Sequence, residues 1–242
     1  MLNFDPARFL RIQTGTVSIA RDLGTLVGRL VDEGADSLFF MGSGGAGILM
    51  QPATDLMRRA SNLPCHNVLC AEIVLTGHVA LGPKSVVIMP SLSGTTKESI
   101  AAMDYVKARG ATVISITGHA ETPLAKGADH SFVNFAEDDT SCEMFYVTSL
   151  VAALAAMHAR GERSDYDRIN GELAGLPQQL LAVKQAFEPR ADALARAIAG
   201  DGWHILTGSG AAWPEAYYYG MCILEEMQWI RTRPVHASDF FH

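Results

Sequence analysis

Between residues 37 and 160 short apolar runs alternate with helical patterns at regular intervals, and this constrains the fold more than any other feature of the chain. The run around Ser37–Met41 gives way to Gly-Ser-Gly-Gly-Ala-Gly and the helical stretch 48–61. NVLCA precedes EIVLTGHVAL, predicted as a helix. SVVIMP empties into a loop and then ESIAAMDYVKARG; ATVISITG leads to a short helix in PLAKGA; HSFVNF leads to the long helix SCEMFYVTSLVAALAAMHARG. Continuous apolar strands, each followed by a helix, are buried on both faces and pair in parallel. The expected fold is α/β: a doubly wound three-layer α/β/α domain on a five-stranded parallel sheet. Ligands of such folds sit at the carboxyl ends of the strands.

Outside this block, residues 5–34 read as one helix or two, with breaks expected near Gly15 or Gly24, and 164–200 read as helical. FFMGSGGAG at 39–47 is echoed by ILTGSGAAW at 205–213, each a strand ending in Gly-Ser-Gly and entering a helix. The division expected is a first domain at 1–163, with its N-terminal helix, and the start of a second at 164–242. With about 40 residues after the echo begins, the second domain looks cut short.

Composition narrows the partners. A formal charge of −7 over 242 residues, with no basic cluster, argues against a nucleic-acid or anionic-membrane surface. The N-terminus lacks a signal-peptide core, and the apolar run VTSLVAALAAM is expected to be too short to span a bilayer. Cys65, His66 and Cys70 match no common zinc spacing, so no metal is expected. Cys65, Cys70, Cys142 and Cys222 read as reduced thiols of a cytoplasmic protein.

Two stretches carry chemistry. The loop PSLSGTTK at 90–97 gathers Ser91, Ser93, Thr95 and Thr96 around Gly94, before a helix. Either these hydroxyls cap the helix, or they join its free N–H groups in holding a small anion. No G-x-x-x-x-G-K-[ST] is present, and GSGGAG is not read as a dinucleotide loop, so no nucleotide cofactor is expected. In the second stretch, 217–242, Glu225 and Glu226 are flanked by apolar residues. Neighbouring helical positions lie about 100° apart, so only one of the pair faces a cleft. A desolvated carboxylate there would suit a general base, a solvated helix face being the alternative. The aromatic residues of this stretch read as core.

A strand followed by S-x-S-G-x-T and a helix, in a five-stranded domain whose first strand ends in G-S-G, resembles the sugar isomerase (SIS) domain family. The resemblance extends over essentially the whole chain, as one complete domain and the start of another. It implies phosphate binding by Ser91, Leu92 (through its backbone), Ser93 and Thr96, and a sugar lined by Ser43, Gly44, Gly45 and Ala46. Glu226 with His242, sixteen residues later, is similar to the base and ring-opening acid of double-SIS phosphosugar isomerases. The wording E-E-M-Q-W with F-F-H is closer to deglycases of 6-phosphorylated Amadori compounds, which release glucose 6-phosphate and an amino acid. The expected substrate is therefore a small phosphosugar conjugate, with no cofactor. The expected assembly is a homodimer or larger homo-oligomer in which His242 reaches a neighbour's site. A ketose–aldose isomerase or amino-sugar phosphate deaminase is the alternative. A non-catalytic phosphosugar sensor is a third reading, disfavoured by the Glu226–His242 spacing and by the lack of a helix-turn-helix segment.

Overall fold

The computed structural model describes residues 1, 4–136 and 141–241. Helix α1 spans Pro6–Asp32; Asp5 caps it, its carboxylate accepting from the N–H groups of Ala7 (2.8 Å) and Arg8 (3.2 Å), and Pro6 fills the first position. The helix is continuous, contrary to the break expected at Gly15 or Gly24. A Cβ at Gly15 would collide with Asn134, and one at Gly24 would lie 2.5 Å from the Tyr166 hydroxyl. These glycines permit close packing across α1.

Strand β1 (Ser37–Gly42) leads through the short helix α2 (Gly45–Ile48) and α3 (Gln51–Ala60) to β2 (Cys65–Leu69) and α4 (Cys70–Thr76). Then come β3 (Ser85–Ser91), α5 (Lys97–Lys107), β4 (Thr112–Thr117), α6 (Pro123–Gly127), β5 (His130–Val133) and α7 (Ser141–Ala159). The five strands form one parallel sheet in the order β2-β1-β3-β4-β5. Side-chain alternation splits the core in two: Phe40, Ile88 and Ile114 pack with α1, α3 and α7, while Phe39, Met41, Val87 and Met89 pack with α4, α5 and α6. The run expected to be too short for a membrane lies within an apolar helix, Cys142–Ala159, which is long and apolar enough to cross one by length and composition. It is mostly buried inside the fold, as a core helix is.

The echo is visible in the backbone. After α8 (Tyr166–Glu172), a 3₁₀ turn (Leu173–Gly175) and α9 (Leu176–Ile198), strand β6 (His204–Gly208) enters α10 (Ala212–Tyr218). A π-helix (Tyr219–Met227) then leads to β7 (Thr232–His236), parallel to β6. Gly42 ends β1 paired with Leu69, and Gly208 ends β6 paired with His236. Gly44 and Gly210 share a left-handed backbone, φ 56° and 55°. In both places the strand-ending glycine touches the helix that follows, Gly42 at Gly47 and Gly208 at Ala212 and Trp213. Among the described residues β6 pairs only with β7, so its side chains are half-buried or exposed where those of β1 are all buried.

Candidate functional site

The carboxyl ends of the adjacent strands β1 and β3 carry the two loops of interest. After β3, Gly94 takes φ 62° and lies so close to Thr122 that a Cβ would come within 2.6 Å of the threonine Cβ. The loop is braced from that side: Leu124 donates to the Gly94 carbonyl (3.1 Å) and Gly118 to that of Leu92 (2.9 Å). Ser91 is buried; its Oγ accepts from the Gly94 N–H (3.1 Å) and lies 3.3 Å from the Thr96 hydroxyl. Ser93 is exposed and its Oγ accepts from the Thr95 N–H (3.3 Å).

Thr96 occupies the N-cap of α5 but its side chain makes no capping hydrogen bond. Among the described residues the first helical N–H with an acceptor is that of Ile100, which bonds the Thr96 carbonyl (3.1 Å). The helix entrance thus keeps unpaired donors and the positive end of its dipole beside two converging hydroxyls.

The β1 loop forms part of a pocket of about 230 Å³, lined by Gly45, Ala46, Leu49, Phe145, Tyr218, Cys222, Glu226 and Met227. Gly45 is one of the places where the two halves of the chain touch: a Cβ there would sit 2.6 Å from the Tyr218 ring and 3.2 Å from Cys222 Sγ. Ser43 Oγ is buried with no geometric hydrogen-bond partner among the described residues; beside it the Cys70 thiol, whose pKa burial raises and Ser99 and Ser43 pull back, donates to Ser99 (3.7 Å). Tyr218 OH and Cys142 Sγ are 2.8 Å apart. Burial raises the Cys222 thiol pKa, and the Glu226 carboxylate pushes it further.

Expectation and structure part at several points. The structure brings Glu226 to Gly45 and Ala46, but exposed on the rim and not desolvated. Of its apolar flanks Leu224 is buried, but Met227 and Trp229 on the other side are exposed and leave the carboxylate in solvent. The segment is a π-helix, a form that recurs at functional sites, and Trp229 follows it with a left-handed φ of 58°. Tyr218, read as core, does pack partly buried against the main core, and it is also a pocket wall; its approach is marked in the sequence by the lack of a side chain at Gly45, which no spacing rule connects to it. The hydroxyl loop does not line this pocket but lies at the end of the neighbouring strand. His242 lies outside the described residues. The glycines of GSGGAG do fall at G-x-G-x-x-G spacing, so spacing alone does not set a dinucleotide aside. What distinguishes this loop is that Tyr218 and Cys222 cover Gly45 and that only a four-residue helix follows.

A family model for the SIS domain matches residues 33–160, the block that holds both loops and the whole five-stranded sheet. The chain belongs to the SIS domain family. Over 232 residues it is 27% identical to fructosamine deglycase FrlB of Bacillus subtilis, covering 94% of this chain and 70% of that protein. Fructoselysine 6-phosphate deglycase of Escherichia coli O157:H7 is 23% identical over 218 residues, 90% of this chain and 64% of the relative. A crystal structure from Salmonella typhimurium LT2, provisionally described as a phosphosugar isomerase, superposes with a TM-score of 0.83 at 25% identity. The match covers 94% of this chain and 69% of that one. The chain thus stands among SIS enzymes of the phosphosugar isomerase and deglycase type, and spans about two thirds of their length.

Proposed function

We propose that this chain is the catalytic part of a deglycase acting on a 6-phosphorylated Amadori compound, a fructosyl-amino acid 6-phosphate. The observation that carries the reading is the uncapped entrance of α5 beneath Ser91 and Thr96, one strand away from the pocket where Glu226 faces Gly45 and Ala46. A phosphate at that entrance takes the free N–H groups and the hydroxyls of Ser91, Ser93 and Thr96, with the Leu92 backbone beside it. The sugar then extends across to Ser43, Gly44, Gly45 and Ala46.

Glu226 removes a proton from C1 of the open-chain 1-amino-1-deoxyketose, giving an enaminol, and a proton returned at C2 leaves an imine at C1. Water adds to the imine carbon, the C–N bond breaks with proton transfer to nitrogen, and glucose 6-phosphate and the free amino acid depart. The exposed position of Glu226 suits a step in which water must enter. His242 supplies the acid for ring opening from a second copy of the chain, and a gel-filtration mass equal to one chain at micromolar concentration would contradict that arrangement. The buried thiols Cys65 and Cys70 accord with a reducing, cytoplasmic setting.

Incubation with fructoselysine 6-phosphate, fructose-asparagine 6-phosphate and fructose 6-phosphate tests the reading. Glucose 6-phosphate with free amino acid is expected from one or both conjugates. Turnover of fructose 6-phosphate alone identifies an isomerase instead. Replacing Glu226→Gln is expected to lower kcat by at least about 10²-fold, the ordinary contribution of a positioned base.

A further inference from the structure

Next to the candidate site lies a second, larger pocket of about 480 Å³ between α7, α8, the 3₁₀ turn, α9 and α10. Its volume is that of an ordinary small-ligand pocket. The walls are aliphatic, with Val147 and Leu154 from α7, Ile169 from α8, and Leu173, Leu176 and Leu180 from the turn and α9. Two carboxylates, Glu143 and Glu215, and the Tyr146 side chain interrupt this lining.

The two pockets adjoin. Leu49 lines both, and Cys142, from the wall of the larger one, is hydrogen-bonded to Tyr218 of the smaller. Glu215 stands one turn before Tyr218 on the same helix. Lys184 engages Glu143 at 2.9 Å, whereas Glu215 has no ion-pair partner among the described residues. Glu215 is solvent-exposed at the mouth of the pocket, where partial burial raises its pKa and Glu143 adds to the shift.

We propose that this pocket receives the amino-acid part of the Amadori substrate and selects a hydrophobic side chain. The inference rests on the deglycase reading and names its substrate class. An Amadori nitrogen is a protonated amine bonded to C1, the carbon that Glu226 must reach. Its substituent therefore leaves the smaller pocket close to C1, beside the wall that the two pockets share. Glu215, at the mouth of the pocket and without an ion-pair partner among the described residues, complements the ammonium. Beyond it the aliphatic walls hold an apolar side chain, while an asparagine amide would give up water there for no partner.

The test uses the full chain and three substrates, the 6-phosphorylated fructosyl conjugates of leucine, lysine and asparagine, with glucose 6-phosphate release as readout. The expected kcat/KM for the leucine conjugate exceeds that of the asparagine conjugate by about tenfold to a hundredfold, the range an apolar pocket confers. Leu176→Asn is expected to bring that ratio toward one. Free leucine is expected to inhibit the wild-type enzyme at lower concentration than free asparagine, a comparison that needs no variant. Glucose 6-phosphate release with equal or reversed preference, or equal inhibition by the two amino acids, overturns this inference and leaves the deglycase reading standing. No release from any of the three overturns both.

Discussion

Gly94 is the residue on which the shape of the hydroxyl loop depends, and its replacement by alanine tests that dependence. Its φ of 62° lies in the left-handed region, which costs a residue bearing a Cβ about 1–2 kcal/mol. The new methyl also meets Thr122. That threonine is fixed: its hydroxyl donates to the His119 carbonyl (3.1 Å) and accepts from the Ala125 N–H (3.3 Å) to cap α6. Overpacking against a pinned neighbour adds about 1–3 kcal/mol. Gly161→Ala isolates the backbone part, because Gly161 has φ 69°, close to that of Gly94, with nothing within 4 Å of a new Cβ. For a chain of this length about 1 kcal/mol moves the melting temperature by about 2–4 °C. Gly94→Ala is therefore expected to melt about 2–12 °C below Gly161→Ala. It should also raise KM for a phosphorylated substrate, which Gly161→Ala should leave alone. Calorimetric melting of both variants beside the wild type decides it. Equal losses would refute the claim that Thr122 braces the loop.

Other consequences concern groups away from the loops. Burial, then the neighbouring His78, lowers the His66 pKa, and the two rings lie 4.3 Å apart. A histidine depressed in the folded state takes up its proton more readily when unfolded, so stability is lost as pH falls from about 6.5 toward the folded value. Denaturant midpoints at pH 7.5 and 5.5 should therefore differ less for His66→Phe than for the wild type; an unchanged difference would remove His66 as the cause. Burial raises the Cys65 thiol to about 12, so it should resist alkylation at pH 8 in the native protein and react once denatured. Rapid native modification of Cys65, read by mass spectrometry, would contradict its burial.

Much of the fold is legible because β1, β3 and β4 are mostly apolar, are buried almost throughout and sit in the middle of the sheet. The edges read less well. NVLCA suggested a strand over 67–71, but β2 ends at Leu69 and Cys70 already begins α4. An edge strand exposed on one side lacks the burial that marks its limits, and the apolar run passes unbroken into the helix. The helix expected over 72–81 stops at Thr76 because Gly77 turns with φ 68°. At the site, S-x-S-G-x-T and G-S-G are local signals and both loops stand where strand order places them. The approach of Tyr218 to Gly45, and the exposure of Glu226, depend on how the segment after β6 packs against α2, which no local pattern encodes.

In the proposed mechanism the open end of α5, with Ser91 and Thr96, holds a phosphoryl group while Glu226 does the proton transfer. Calorimetric titration with glucose 6-phosphate and with glucose separates these two roles. Wild-type protein and Glu226→Gln are expected to bind glucose 6-phosphate alike, glucose far more weakly, and Ser91→Ala/Thr96→Val is expected to lose most of the glucose 6-phosphate affinity. Undiminished binding by that double variant, or equal affinity for glucose, would contradict the mechanism.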